Sequence, residues 1–478
     1  MDSRRASIQQ HAVRSGYDTK ALPKRLSMIS VLGLSFAIMA VPYGLSTTFY
    51  VTLPNGQCVS IIWGWILVSL ISLCIAASLA EICAVYPTAG GVYHWSAILC
   101  TPKYAAVVSF VDGWLTLVGN WTVTLSINFG GAQLILSGLT IYDESFIATP
   151  WQTVLMFWAV TLLCVLVNIF GVRWLDFINQ ACIWWTGASM VIILITLSAT
   201  ADVGRHSADY VFTHYDASAS GWGDGWSFFV GLLQPAYVLT GYGMVASMCE
   251  EVQHPEREVP KAMVLSVAAA GLTGIVYILP ILFTLPDVEY LLGFSQPIGL
   301  LFKELELQVN AIILSALVNC ALACIYFGSS AAFNSFTGVA TICLSASYCV
   351  PILVSLIRKR ELVKSSSYSL GKFGPFINGV TIVWIFFAIV IFCMPVAIPV
   401  TPSTMNYASV VFVFFAVVAA IWYIVYGRTH FKGPGSMDLE GEAPITGTPA
   451  GDGNGIVEKG NGHNSNGTDS SEGISKTV

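Results

Sequence analysis

The residues best placed to do chemistry lie at 225–261, in GWSFFVGLLQPAYVLTGYGMVASMCEEVQHPEREVPK. Two apolar half-runs, 226–239 and 244–249, flank Thr240, Gly241, Tyr242 and Gly243, and an acidic, proline-punctuated segment follows. In hydrocarbon every backbone N–H and C=O needs an internal partner, so Pro235 and these glycines require a cavity or a neighbouring helix beside them. The chemistry on offer is binding: the amides and carbonyls freed at an interruption can hold a small charged solute. The same residues also read as a kinked packing helix, since Gly and Pro are commoner in membrane helices than in soluble ones. Taken alone, packing is the commoner outcome.

A second interrupted stretch is Ala40-Val41-Pro42-Tyr43-Gly44-Leu45-Ser46-Thr47, set between apolar 29–39 and 48–53. Pro42 removes a helix hydrogen bond. The alternative is a proline kink in which Ser46 and Thr47 bond back to the preceding turn. A third candidate is Asn120-Trp121, within Gly119-Asn120-Trp121-Thr122. A polar residue inside a membrane helix is a functional candidate, but Asn serves equally as interhelical glue. Asp112, Arg173 and Asp176 fall near span ends, where snorkelling to the interface accounts for them. Glu81, also at a span end, reads as structural or gating. No catalytic set is visible, neither a Gly-x-Ser-x-Gly elbow nor a zincin His/acid pair. The 12 cysteines show no metal or redox spacing, and Cys320 and Cys324, on one helix face, read as small apolar filler. No cofactor and no metal site is expected.

These stretches need helices to position them. The chain is 55% hydrophobic and 10% charged, with a mean hydropathy of +0.72. An ordinary soluble domain is about one quarter charged. Repeated apolar runs of about 20 residues are what a bilayer demands of helices. An all-α, multi-pass membrane protein follows. The N-terminal 25 residues are polar and the first apolar run is too long for a signal h-region, so no cleavable signal is expected.

Residues 1–27 form a basic tail, predicted to be disordered and cytoplasmic; 28–427 form the membrane domain; 428–478, rich in Gly, Asn, Ser and Thr, form a disordered tail. Eleven spans are predicted, at about 29–50, 60–83, 105–140, 150–171, 177–200, 226–249, 261–285, 309–328, 332–357, 375–398 and 405–426. Starting inside, seven spans place residue 286 outside, and the acidic 201–225 loop is then external. The basic cluster Arg358, Lys359, Arg360, Lys364 and Lys372 belongs inside, which places residue 308 inside as well. A crossing is therefore due between 286 and 308, yet that segment has five charged residues and no apolar run near 20. Either one helix is missing, or a long span such as 105–140 or 332–357 hides a re-entrant pair.

Three stretches resemble the amino acid–polyamine–organocation superfamily, in particular its fungal amino acid/choline/GABA permease branch. They are AEICAVYPTAGGVY at 80–93, EEVQHPEREVPKA at 250–262, and IPVTP at 398–402 with MNY at 405–407. The resemblance implies a five-plus-five inverted-repeat transporter fold of twelve spans, with helices one and six broken at mid-membrane around the solute. It implies a site formed by Pro42, Tyr43, Gly44, Leu45, Ser46 and Thr47, facing Tyr237, Thr240, Gly241, Tyr242 and Gly243, with Asn120 and Trp121 as further candidates. Family members carry a span after the seventh that ends in a loop bearing Arg and Asp-Gly; neither is recognisable here, which leaves about eleven spans. GABA- and choline-type permeases often carry an acid two residues after the break glycine, where this chain has Gly243. The implied function is a proton-coupled secondary active transporter of a small amino-group solute (amino acid, GABA, choline or polyamine). It would lie in a lipid bilayer, by default the plasma membrane with both termini cytoplasmic, and would bind no nucleic acid. The alternative is a transport-defective isoform or a solute-sensing non-transporter lacking one family helix.

Overall fold

The computed structural model describes residues 28–431 apart from 143–145, 147, 171–174, 201–204, 287, 289–290, 292–329, 365 and 402–404, together with residues 433–434. The two predicted tails, the 309–328 span and the disputed 286–308 segment lie largely or wholly outside these residues. The described architecture is all-helical, with no strand.

The first span is three pieces: α1 (Met28–Met39), α2 (Val41–Thr47) and α3 (Phe49–Thr52). Then come α4 (Gln57–Val85), the short α5 (Gly91–Leu99), α6 (Pro102–Tyr142), α7 (Pro150–Phe170), α8 (Leu175–Thr200) and α9 (Ala208–Thr213). The sixth span is also divided, into α10 (Asp224–Gly231), α11 (Leu233–Val238) and a 3₁₀ stretch Tyr242–Glu250. The rest is α12 (Pro255–Phe283), α13 (Ser330–Ile357), α14 (Gly374–Ile391), α15 (Ala408–Trp422) with a π turn at Tyr423–Gly427, and α16 (Arg428–His430). Eight of the described helical stretches are long and apolar enough to cross a membrane, and α7 and α8 are apolar over 151–166 and 183–197. Both long spans are single helices, α6 of 41 residues and α13 of 28, so neither hides a re-entrant pair.

Packing follows from small residues placed where helices meet. α4 lies along α12 and α6 along α13, while α2 packs on α11. Trp65 of α4 is fully buried and donates its indole N–H to Gly271 O at 2.8 Å, and a side chain at Gly274 would collide with its ring. By contrast α15 buries Ala408 alone and exposes Val410, Val413, Phe414, Val417 and Ile421, a surface suited to hydrocarbon.

The two ends of α4 are tied differently. At one end Asn55 Nδ2 donates to Val51 O (2.8 Å) and Val396 O (3.1 Å), Ser227 Oγ donates to Asn55 Oδ1 (2.8 Å), and Thr52 Oγ1 donates to Gly231 O (2.9 Å). At the other, Glu81 is 1% exposed and Arg360, just past α13, is 6% exposed. Arg360 Nη2 donates to both carboxylate oxygens, at 2.5 and 2.6 Å. The Leu370 N–H adds 3.0 Å to Oε1, and Ser366 Oγ donates to Glu81 O at 3.1 Å. With 1.5 Å of rise per residue, the two ties are about 40 Å apart along the helix axis.

Candidate functional site

The two divided spans face each other at their interruptions. In the first, Ala40 adopts a left-handed conformation (φ 39°, ψ 52°), which ends α1, and Gly44 N–H closes the first bond of α2 on Ala40 O at 2.9 Å. In the second, Gly241 has φ 138° and ψ −14°, a region open to glycine but strained for any residue bearing Cβ. A Cβ at Gly44 would come within 2.9 Å of Val238 on α11, and one at Gly241 within 3.2 Å of Ile38 on α1. Gln234 of α11, 1% exposed, donates from Nε2 to Leu45 O at 3.0 Å. Two interruptions in separate halves of the sequence therefore touch, joined by a buried amide.

Around them the polar groups are hydroxyls without formal charge. The Tyr43 hydroxyl donates to Ile127 O on α6, the Tyr237 hydroxyl meets Ser126 Oγ at 2.5 Å, and the Tyr277 hydroxyl meets Ser46 Oγ at 2.6 Å. Tyr242 packs on Tyr348 of α13 with ring centroids 5.1 Å apart. Aromatic faces and oriented hydroxyls can hold an ammonium by cation–π and dipolar attraction of about 0.5–2 kcal/mol. They can also partner the polar ends of a neutral solute.

Of the expected site residues, Pro42, Tyr43, Gly44, Leu45, Ser46 and Thr47 are all buried on α2, beside Tyr237, Gly241, Tyr242 and Gly243; Thr240 is half-buried. The break itself lies before Pro42, at Ala40, so residues 41–47 are helical rather than unwound. Ser46 Oγ bonds Pro42 O at 2.7 Å and Thr47 Oγ1 bonds Tyr43 O at 3.1 Å, the back-bonding named as the alternative. Ser46 does this while also meeting Tyr277. Thr240 Oγ1 likewise bonds Ala236 O at 2.5 Å.

Two candidates stand elsewhere. Trp121 is 51% exposed and packs edge-on against Phe415 of α15, on the outer surface of the described residues. Asn120 is half-buried with Oδ1 lacking a partner, one to two turns (about 9–10 Å) before Ser126 and Ile127 on α6. Among the described residues no hydrogen bond or ring contact joins either to the two breaks.

Gly243 acquires a physical account. A Cβ there would sit 2.2 Å from the Tyr348 ring, so Tyr348 fills the place where an acidic side chain would project. The charged groups are instead at the periphery. Asp112 does not snorkel: it is fully buried on α6, Ser96 of α5 donates to its Oδ2, and its Oδ1 has no partner among the described residues. Arg173 and the side chain of Asp176 lie outside the described residues. Among the described residues no group of His, Cys, Asp and Glu is arranged to hold a metal ion.

Sequence reasoning missed Gln234, Ser126, Tyr277 and Tyr348. Gln234 was the detectable one, a polar amide in the middle of an apolar run. The others are single hydroxyls or rings whose partners lie on distant helices.

The comparisons with known proteins bear on this geometry. A family described as "Amino acid permease" matches residues 26–309 and 306–417, two segments that overlap at 306–309. The chain is 28% identical to the polyamine transporter TPO5 of Saccharomyces cerevisiae, covering 91% of this chain and 80% of that protein. It is 28% identical to the amino-acid permease BAT1 of Arabidopsis thaliana, covering 86% and 93% respectively. It is also 27% identical to a choline transporter of Saccharomyces cerevisiae, covering 86% and 83%.

Proposed function

The chain belongs to the amino acid permease family, and from that premise we propose that it is a secondary active transporter of amino acids or related small amines, working by alternating access around the two broken spans. The observation that carries this is the contact between the breaks at Ala40 and Gly241, bridged by Gln234. A solute seated there meets hydroxyls, rings and helix ends and no full charge. A neutral amino acid, or a cation held by aromatic faces alone, suits such a lining better than a solute that needs a carboxylate.

The coupling ion in this proposal is the proton. Asp112 supports it, as a buried carboxyl with one free oxygen, Ser96 on one side and Cys349 of α13 as its electrostatic neighbour. The proposed orientation puts both termini and the 358–372 cluster in the cytoplasm, with plasma membrane as the site of action.

The test is uptake of radiolabelled amino acids, GABA, choline and spermidine by cells expressing this chain, scaled to its surface level. Accumulation of at least one, reduced by a protonophore and made insensitive to external pH by Asp112→Asn, is expected. No accumulation of any of them with the chain at the surface would refute the transporter reading, and uptake indifferent to the protonophore would refute the proton.

A further inference from the structure

Between the C-terminal end of α13 and the start of α14 lies a cavity of about 560 Å³. Lys359, Arg360, Lys364 and Lys372 line it, and among the described residues no acid does. None of the three lysines has an ion pair or side-chain hydrogen bond among the described residues, and Glu361, the acid nearest in sequence, is not part of the lining. Converging like charges raise each other's energy, and an anion that fits the hollow relieves this.

Arg360 supplies a second, independent sign. Its Nη2 is committed to Glu81 and its Nη1 to Gly371 O at 3.3 Å, but its buried Nε has no partner among the described residues. The guanidinium lines the hollow at 6% exposure, with its Nε sealed from solvent. The first turn of the 18-residue helix α14 borders the same hollow through Pro375, and the positive end of its dipole favours negative charge there.

The rim identifies the anion. Ile357, Phe373 and Phe376, each beside a lining residue, are 71%, 74% and 72% exposed. A free phosphate makes no use of such a rim, whereas acyl chains lie against it. Basic pockets between membrane helices at the cytoplasmic face suit anionic headgroups. We propose that this cavity binds the phosphate-bearing headgroup of an anionic lipid of the cytoplasmic leaflet, with its chains against Phe373 and Phe376. Through Arg360 the bound headgroup is one residue from Glu81, so occupancy reinforces the tie at that end of α4. The choice of leaflet rests on the proposed topology. Binding is read without transport, so a failure of uptake and a failure of this site are separate results.

The full chain, purified in detergent, is titrated with dioctanoyl phosphatidylinositol 4,5-bisphosphate, dioctanoyl phosphatidylcholine or inorganic phosphate, and its thermal midpoint is followed. The anionic lipid should raise the midpoint by about 1.5 °C near ten times its dissociation constant, and the other two should leave it unchanged. Combined Lys359→Gln, Lys364→Gln and Lys372→Gln should abolish the shift while keeping the midpoint measured in phosphatidylcholine. Lys364→Gln alone should weaken it severalfold, which gives a readout if the combined variant does not fold. An undiminished shift in these variants, or one reproduced by phosphatidylcholine, overturns the site. A shift reproduced by inorganic phosphate overturns the lipid as its occupant.

Discussion

At the Gln57 end of α4, Asn55, Thr52, Ser227 and the carbonyls of Gly231 and Val396 are joined by bonds between neutral groups, whereas at the Val85 end one buried charge pair, Glu81 with Arg360, joins the segments. A neutral hydrogen bond contributes about 0.5–1.5 kcal/mol net, because water replaces either partner readily. Such a network can open one bond at a time. A buried ion pair cannot, since separating it inside the protein strands a charge at a cost of about 3–5 kcal/mol. The two ends therefore open on different terms, gradually at Asn55 and as a unit at Glu81. In the proposed alternating-access cycle both ends would have to open, and the charged one would set the steeper step.

Breaking the charged end should give the largest change. Glu81→Gln leaves Arg360 buried without a counter-charge and should lower stability by about 3–5 kcal/mol in thermal or denaturant unfolding. Pairing Glu81→Leu with Arg360→Met should restore most of that loss. If Glu81→Gln cost no more than a neutral substitution at the opposite end, the contrast would collapse.

At the neutral end Asn55→Ala removes two donated bonds and one acceptor of the Ser227 hydroxyl, which keeps Ser220 Oγ at 2.8 Å, for an expected loss of about 1–3 kcal/mol by the same measurement. A loss equal to that of Glu81→Gln would mean that Asn55 is an all-or-none tie as well.

The smallest effect concerns pH at the Asn55 end. Asp216, beside Gln57, is held below the usual carboxylate range by hydrogen bonds from the Ser218 backbone N–H and hydroxyl. A depressed folded-state value adds stability above the unfolded aspartate range, and this is lost as pH falls through it, below about pH 4. Asp216→Asn should therefore lower the unfolding midpoint slightly at neutral pH and leave it unaltered in acid, where the carboxyl is protonated in both states. An unchanged acid profile would show that those bonds make no difference to folding.

Much of this was legible in the sequence, for identifiable reasons. Gly241 marks its own break, because few residues other than glycine tolerate that φ. Hydropathy runs are dictated by bilayer thickness, so most described spans begin and end within a few residues of expectation, while α12 starts six residues early at Pro255 and α14 stops seven early at Ile391. The interrupted stretch 40–47 included the first break, but nothing in an alanine announces that the left-handed turn falls at Ala40 and that 41–47 stay helical. Trp121 stands on the outer surface of the described residues, a placement the sequence does not show, because an aromatic residue inside a span looks the same whether it faces a site or lipid. Asp112 was expected at the interface because hydropathy cannot show that the short α5 folds back to cover it. Glu81 and Arg360 are 279 positions apart, and no local pattern announces such a pair.

The central claim is that the touching breaks at Ala40 and Gly241 grip the solute. Its most direct test is surface-normalised uptake of a transported solute by Gly241→Leu. The side chain must then adopt the strained φ and enter the space beside Ile38, so uptake should fall by roughly a hundredfold while the amount of chain at the surface is unchanged. Uptake within about twofold of the parent chain would contradict the claim, because an effect that small lies well under the cost of a misplaced binding group.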